Sequence, residues 1–246
     1  MSIETPEELD GLKAVGRVVA NAIRAMRRSV RPAVTTAELD RIGAAVFRRA
    51  GARSGPQLDY GFPGVNCISV NDEAVHGIPG PRRLRDGDLV KLDVTAELDG
   101  FYADACVSVP VGRPSRSMIA LAAAARAALT RALTVSRAGT PINEIGRAVQ
   151  QTVEQCGFAV CPELTGHGIG RRIHEDPLVL NHYVPHDSQP LTYGLVITIE
   201  PIISAGTGAV RQGRDGWTIS TADRALSAHA EHTIAVTNGQ PVVLTA

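Results

Sequence analysis

The sequence has no excess of charge of either sign. It contains 25 Lys and Arg residues and 25 Asp and Glu residues, so its formal net charge is zero. Binding to nucleic acid or to an anionic membrane through overall charge requires a basic excess, which is absent here. Basic residues cluster at 24–31, 48–53, 82–85 and 171–172. We interpret these clusters as solvated helix faces and loops, with a partner surface as the alternative.

The chain also lacks a secretory signal and a long uninterrupted apolar run. Residues 1–11 are acidic and contain no apolar segment of the kind that a signal peptide needs. The most hydrophobic stretch, 118–132, is interrupted by Arg126 and Arg131 and is too short to span a bilayer. We therefore expect a packed helix there and a cytoplasmic protein without a membrane segment.

Cysteine is scarce, and its spacing matches neither a metal finger nor a redox motif. The four cysteines lie at positions 67, 106, 156 and 161, with no CxxC pair. Without a secretory context, free and buried thiols in a reducing compartment are the expected state.

The order of predicted elements repeats along the chain. Capping boxes predict helices over 5–29 and 35–51, the second ended by a glycine. An alanine-rich helix over about 117–136 and a helix opening at Thr140 and Pro141 follow, and β-rich segments come after each helix pair. The chain of 246 residues is long enough for one large domain or two small ones.

An offset comparison supports an internal duplication. A shift of 107 positions places Leu89–Val94 on Val196–Pro201, so that Asp93 falls on Glu200. The next strand-like segment of the second half carries Glu231, as the second arm of the first half carries Asp104. We predict halves of roughly 1–112 and 113–246, each contributing one carboxylate from each of two adjacent strands.

Two aspartates lie inside strand-like sequence, where aspartate is depleted. If Asp99 and Gly100 form a two-residue hairpin turn, Asp104 lies opposite Thr95 and Asp93 lies opposite Cys106. Side chains alternate along a strand, so both carboxylates share one face as diagonal neighbours, about 7–8 Å apart at the backbone and reachable by one ion. A turn one residue longer would place them on opposite faces.

Two such carboxylates in a mostly apolar sheet need a cation, because they repel each other and lose hydration. Edge-strand aspartates facing water, or a dyad sharing one proton, are the alternatives. Glu200 interrupts an apolar strand, Glu231 begins another, and a glycine-rich loop presents His167 and His174. Taken alone, each glutamate could be an edge or barrel-rim residue without a chemical role, and each histidine could simply be an exposed loop residue. Together, four acids and one imidazole form a hard-ligand set that suits two divalent ions.

Five linked motifs resemble the signature of the type I methionine aminopeptidases. They are "NDEAVHGIPG", "LDVTAELDGFYADA", "GHGIGRRIHEDP", "ITIEP" and "EHTIAVT", in that family's order and over nearly the whole chain. The resemblance implies an α+β pita-bread fold, with two pseudo-symmetric halves and a curved antiparallel sheet covered by helices, forming a single catalytic domain over 1–246. It also implies removal of the initiator methionine from the N-terminus of nascent polypeptides.

The resemblance carries site residues over to this chain by motif. It implies two divalent ions (Mn, Fe, Co or Zn) on the ligands Asp93, Asp104, His167, Glu200 and Glu231. Asp104 and Glu231 resemble the pair that bridges both ions, and Glu200 also transfers the proton to the leaving amine. His76 and His174 resemble the histidines that hold the substrate. Asn71 and Ser227 resemble positions that hold a monovalent cation in some members.

The methionine pocket departs from the family pattern. Phe62, Cys67 and Trp217 correspond to pocket residues, with ordinary core packing as the alternative. Asp59 stands where a tyrosine is usual, and a loop shift would let Tyr60 fill that space. Ile173 replaces an aromatic residue that is common before the second histidine.

Two alternatives stay open beside methionine removal. The first is a same-fold paralogue with shifted specificity, of which the X-Pro peptidases are the main example. The second is a non-enzymatic binding module on the same fold, which the complete ligand set disfavours. We expect a monomer that contacts neither nucleic acid nor membrane, and a transient ribosome contact is compatible with its nascent substrates.

Overall fold

The computed structural model describes residues 1–246 and contains five helices and fifteen strands. The helices are α1 (Pro6–Ser29), α2 (Thr36–Ala50), α3 (Gly55–Tyr60), α4 (Arg116–Val135) and α5 (Asn143–Gln155). The strands of the first half are β1 (Arg53–Ser54), β2 (Cys67–Val70), β3 (Glu73–Val75), β4 (Leu89–Leu98) and β5 (Phe101–Pro110). Those of the second half are β6 (Ala159–Val160), β7 (Gly166–Gly168), β8 (Glu175–Val179), β9 (Val196–Ile199), β10 (Ile202–Ser204), β11 (Val210–Gln212), β12 (Ile219–Thr221), β13 (Ser227–His229), β14 (His232–Ala235) and β15 (Val242–Val243).

Local capping sets the ends of the first two helices as the sequence predicts. The hydroxyl of Thr5 accepts a hydrogen bond from the backbone N–H of Glu8 at the start of α1. At the start of α2, Thr35 and Glu38 form a reciprocal capping box. Gly51 ends α2 in the left-handed conformation, with φ of 71°.

The start of α5 differs from the sequence prediction. This helix begins at Asn143, and no side chain caps it. Thr140 and Ile142 form backbone hydrogen bonds with 189–191 instead, through Leu191 N to Thr140 O and Ile142 N to Gln189 O. Pairing with a distant segment therefore holds 140–142 outside the helix and delays its start.

The β4–β5 hairpin confirms the predicted register. Asp99 and Gly100 form its two-residue turn with φ of 52° and 81°, as the right-handed twist of a hairpin requires. Thr95 pairs with Asp104, and Asp93 pairs with Cys106. Both aspartates therefore lie on one face of the hairpin.

Each half of the chain has its own helix-covered sheet and apolar core. In the first half, β1, β2 and β5 all pair with β4, and α1 and α2 pack on this sheet. In the second half the strand order is β15-β14-β9-β7-β8, and α4 and α5 cover it. By length and composition α4 could cross a membrane. Its residues Leu121, Ala125 and Ala128, however, are buried in the core of the second half, as the packed-helix prediction requires.

The two halves meet where β5 runs beside β13 and β14. The backbone N–H of Glu231 donates to the carbonyl of Cys106. On one side of this bond, the hydroxyl of Thr233 bonds both N–H and C=O of Asp104, each at 2.8 Å. On the other side, Ser108 does the same for His229, also at 2.8 Å. These bonds of β5 with β13 and β14 form the boundary between the halves, which we call the seam. The seam places residues of both halves beside one cleft.

Candidate metal centre and substrate cleft

A cavity with a volume of about 420 Å³ opens at this seam. All eleven residues that the sequence places in a site line it. They are Tyr60, Phe62, Cys67, His76, Asp93, Asp104, His167, His174, Glu200, Trp217 and Glu231. The structure therefore brings together side chains that are spread over more than half of the chain.

Asp93 and Asp104 reach the cavity from the β4–β5 hairpin. The hydroxyl of Thr95 donates to Oδ2 of Asp104 at 2.7 Å and holds that carboxylate in place. Oδ1 of Asp104 is buried and has no hydrogen-bond partner. A buried acceptor without a partner is costly unless a cation or a water binds it.

Glu200 and Glu231 reach the cavity from the second half, where two strand ladders are interrupted. Glu200 lies between β9 and β10, and Glu231 lies between β13 and β14. Because His232 pairs with Ile199, the continued register sets these two glutamates directly opposite each other. The aspartates of the first half are diagonal neighbours, so the two halves are related without being identical.

The carboxyl groups of the two aspartates and two glutamates lie close together with little exposure to water. Burial, followed by the neighbouring carboxylates, raises the pKa of Asp93, Glu200 and Glu231 well above the usual values. Burial also raises the pKa of Asp104, to about 6. No Lys or Arg lines the cavity to balance these charges. A divalent cation would supply the missing positive charge.

His167 is held ready as a metal ligand. Its ring atom Nδ1 bonds the carbonyl of Gly168 at 2.8 Å, which leaves Nε2 as the unprotonated nitrogen facing Glu200 at 3.5 Å. Donor atoms of Asp104, His167 and Glu231 all lie within 4.8 Å of one another. This carboxylate and imidazole set fits the divalent metals that accept mixed oxygen and nitrogen ligands.

The segment around His167 is a strand and not the predicted glycine-rich loop. Gly166–Gly168 forms β7, between β8 and β9. A Cβ atom at Gly166 would lie 2.6 Å from the carbonyl of Thr198, and one at Gly168 would lie 2.1 Å from that of Asp176. The glycines therefore allow neighbouring backbones to approach on both sides of the histidine.

His229 is a cavity residue that the sequence reasoning missed. Its Nε2 lies 3.6 Å from Oε2 of Glu231 and 3.7 Å from Oε2 of Glu200. Neither ring nitrogen has a hydrogen-bond partner, and burial lowers the pKa of His229 to about 3. Its place two residues before Glu231 is the signal that could have found it, because alternate strand residues share a face.

Two further histidines, His76 and His174, line the cavity. The ring of His174 is 4.3 Å from that of His167, and its Nδ1 is 2.6 Å from the hydroxyl of Tyr60. Burial lowers the pKa of His174, and it lowers that of His76 to about 4. Both imidazoles are therefore neutral at pH 7 and can form hydrogen bonds with an amide.

An apolar wall completes the cavity. Phe62 and Trp217 pack edge to face with ring centroids 5.2 Å apart. Tyr60 lies at the wall, where a loop shift was expected to place it. Asp59 points away from the wall and accepts hydrogen bonds from the hydroxyl of Tyr102 and the N–H of Ile173. Asp59 thus ties α3 to the segment that carries His174.

The oxygens of Asn71 and Ser227 lie behind the carboxylates, where the resemblance places a monovalent cation. The ammonium of Lys91 donates hydrogen bonds to Asn71 O at 2.7 Å and to Ser227 Oγ at 3.2 Å. The ammonium group of Lys91 therefore binds oxygen atoms of both residues at the place where the resemblance expects a monovalent cation.

Comparison with known proteins decides the family. The family model described as "Metallopeptidase family M24" matches residues 10–238 of the chain. The chain belongs to metallopeptidase family M24. This M24 membership implies the use of divalent metal, which agrees with the buried carboxylate and imidazole cluster described above.

Relatives within family M24 match the chain over its full length. It is 43% identical over 247 aligned residues to methionine aminopeptidase 2 of Bacillus subtilis, covering 100% of this chain and 99% of the relative. A crystal structure of methionine aminopeptidase from Rickettsia prowazekii superposes with a TM-score of 0.96 at 34% identity, with 100% of both chains covered. Membership of the type I methionine aminopeptidase family and the pita-bread fold, both expected from the motifs, are thereby confirmed.

A prolidase from Pyrococcus furiosus shares the fold at lower similarity. The TM-score is 0.80 at 20% identity, and the match covers 99% of this chain but 65% of the prolidase. At this level of identity the likeness concerns the fold alone.

Proposed function

We propose that this M24 peptidase removes the N-terminal initiator methionine from nascent polypeptides. The observation that carries the proposal is a buried set of four carboxylates and imidazoles at one end of an apolar, aromatic-walled cavity. The full-length similarity to proteins named methionine aminopeptidase supports the same activity.

The five expected ligands would hold two divalent ions. Asp104 and Glu231 would be shared between the ions, Asp93 would complete one set of ligands, and His167 with Glu200 would complete the other. Mn, Fe, Co and Zn all accept such ligands, so cellular supply selects among them. Two such ions, when bound, supply Lewis acidity that polarises the scissile carbonyl and lowers the pKa of a water molecule to about 7.

Proton transfer is assigned to Glu200. Burial raises the pKa of this carboxyl group, and Thr198 donates a hydrogen bond to its Oε1 at 3.0 Å, which fixes its orientation. A carboxylate held in this way takes a proton from the attacking water and passes it to the leaving amine.

The scissile amide is assigned to the two neutral histidines. With the Tyr60 hydroxyl donating to Nδ1 of His174, Nε2 would carry the proton and donate it to the carbonyl oxygen as negative charge develops there. His76 would bind the same amide from the neighbouring wall. The first side chain of the substrate would lie against Phe62, Cys67 and Trp217, which together suit an unbranched apolar group such as methionine.

The cellular setting is part of the same proposal. We infer that the enzyme acts in the cytoplasm as a monomer and meets nascent chains through transient contact with the ribosome. A single catalytic domain over 1–246, with pseudo-repeat halves of roughly 1–112 and 113–246, is sufficient for this role.

A panel of three peptides tests the proposed specificity. Metal-reconstituted protein should release methionine from Met-Ala-Ser and leave Ala-Ala-Ser and Ala-Pro largely intact, as followed by chromatography of the products. Cleavage of Ala-Pro without cleavage of Met-Ala-Ser would show an X-Pro peptidase instead. Absence of any cleavage by the metal-loaded protein would favour a binding module on this fold.

A further inference from the structure

Lys91 is a fully buried cation without an acidic partner. Its side chain lies on β4, two residues before Asp93, and the residue is only 1% exposed. None of the salt bridges of the protein involves its ammonium group. A buried charge of this kind is unfavourable unless polar atoms replace its water shell.

Three oxygens replace that water shell. Nζ of Lys91 donates to Asn71 O at 2.7 Å, to Ser227 O at 3.3 Å and to Ser227 Oγ at 3.2 Å. Ser227 Oγ donates its own proton to Asn71 O at 3.0 Å, so it can only accept from Lys91. Three acceptors use all three N–H bonds of an ammonium. These acceptors favour the charged ammonium form of Lys91 over the neutral amine.

Backbone carbonyl and hydroxyl oxygens are also the atoms that replace the hydration shell of a bare monovalent cation. We propose that the Lys91 ammonium is a built-in substitute for a monovalent cation, so that this enzyme needs no exchangeable K⁺ or Na⁺ to order its site. The proposal concerns the oxygen cage formed by Asn71 and Ser227 and goes beyond the proposed peptidase function.

The cage connects the segments that carry the site. Lys91 lies on β4, two residues before Asp93. Ser227 lies on β13, two residues before His229 and four before Glu231. Asn71 begins the segment that ends at His76. One ammonium thus joins both halves of the molecule directly behind the carboxylates.

The backbone of Asn71 is shaped for this contact. Its φ of 61° lies in the left-handed region. Its side chain is held by Asp88, through Nδ2 to Oδ1 at 2.8 Å, and by the N–H of Leu89 at 2.9 Å. The carbonyl of Asn71 is therefore fixed toward Nζ before any ion is present.

Thermal unfolding of the metal-loaded enzyme in different salts tests the proposal. Midpoints are compared in potassium, sodium and tetramethylammonium chloride at equal ionic strength. The wild-type protein should unfold at the same midpoint in all three. Lys91→Ala opens the cage, so K⁺ or Na⁺ should raise its midpoint by about 3–5 °C for each tenfold increase in ion concentration above the dissociation constant. Lys91→Met fills the space with an apolar chain and should show no such rise.

Two results would overturn the proposal. The first is a wild-type midpoint that K⁺ or Na⁺ raises above its value in tetramethylammonium. The second is a folded Lys91→Ala protein, judged by circular dichroism, whose midpoint is the same in every salt. If Lys91→Ala does not fold, the wild-type comparison decides alone. Because the readout is thermal, its result is independent of which peptide the enzyme cleaves.

Discussion

The hydroxyl of Tyr60 lies 2.6 Å from Nδ1 of His174, so the two side chains share a hydrogen bond. Burial raises the pKa of the phenol, which therefore keeps its proton at neutral pH. With the phenol as donor, the imidazole carries its own proton on Nε2, the tautomer that the proposed contact with the substrate carbonyl needs. A residue of α3 in the first half thus contacts a side chain of the second half that we assign to substrate binding.

Tyr60→Phe keeps the ring and removes this hydrogen bond. We expect kcat/KM on Met-Ala-Ser to fall about tenfold, because a lost hydrogen bond of about 1–1.5 kcal/mol corresponds to that factor. Tyr193→Phe is the matched control, since Tyr193 is 67% exposed and does not line the cavity. An unchanged kcat/KM for Tyr60→Phe would show that His174 does not depend on the phenol.

Thr233→Val tests the seam between the halves. The substitution is close to isosteric, yet it leaves the N–H and C=O of Asp104 without the hydroxyl that bonds both. Unpaired buried polar groups cost about 1–3 kcal/mol each, so urea denaturation should show a loss of about 2–4 kcal/mol. Thr130→Val, on an exposed helix face, should change stability by less than about 0.5 kcal/mol. Equal effects of the two substitutions would argue against the seam.

Glu97 makes the hairpin turn sensitive to pH. The hydrogen bond from Arg53, assisted by one from the N–H of Gly100, lowers the pKa of Glu97 below its usual value. The folded state therefore binds fewer protons than the unfolded state near pH 4, and the stabilisation is present above that range and lost as pH falls through it.

Glu97→Gln should therefore destabilise the protein by about 1 kcal/mol at pH 7, a modest value because Arg53 is largely exposed. The difference from wild type should begin to shrink as pH falls through the ordinary Glu pKa of about 4.3, and it should vanish only below the lowered pKa of the folded state, where Glu97 is protonated in both states. Urea denaturation across this pH range provides the measurement. A difference that stays constant with pH would assign the effect to packing.

The cysteines provide a chemical test of burial. All four are free, as expected, but the prediction that all are buried is wrong for Cys156, which is exposed at the end of α5. Burial raises the pKa of Cys67, Cys106 and Cys161, to about 12 for Cys161.

Ellman's reagent should therefore modify one thiol quickly in the native protein and all four after denaturation. Cys156→Ser should remove the fast phase. Two or more fast thiols in the native protein would contradict the packing around the cavity.

The two aspartates of the site were predictable because side chains alternate between the two faces of a strand. Once a two-residue turn is placed at Asp99 and Gly100, alternation alone brings Asp93 and Asp104 to one face. The helix caps at Thr5 and Thr35 were predictable for a similar reason, because each uses hydrogen bonds within four residues.

Contacts between distant segments account for what the sequence did not indicate. The start of α5 moved from Thr140 to Asn143 because 140–142 pairs with a segment nearly fifty positions away. His229 pairs with Ile202 on β10, and its spacing from Glu231 is the one local signal of its place. Two of the three oxygens around Lys91 belong to Ser227 in the other half, a contact that no local pattern reveals.

The central claim is that the four carboxylates and His167 hold two catalytic ions. Metal content and Met-Ala-Ser cleavage of Asp104→Asn, measured beside wild type after the same reconstitution, test it most directly. Asp86→Asn, at an exposed carboxylate, is the control. We expect two ions per wild-type chain, and for Asp104→Asn the loss of at least one ion and a fall in kcat of about 10³-fold or more. An Asp104→Asn protein that keeps both ions and wild-type activity would contradict the account.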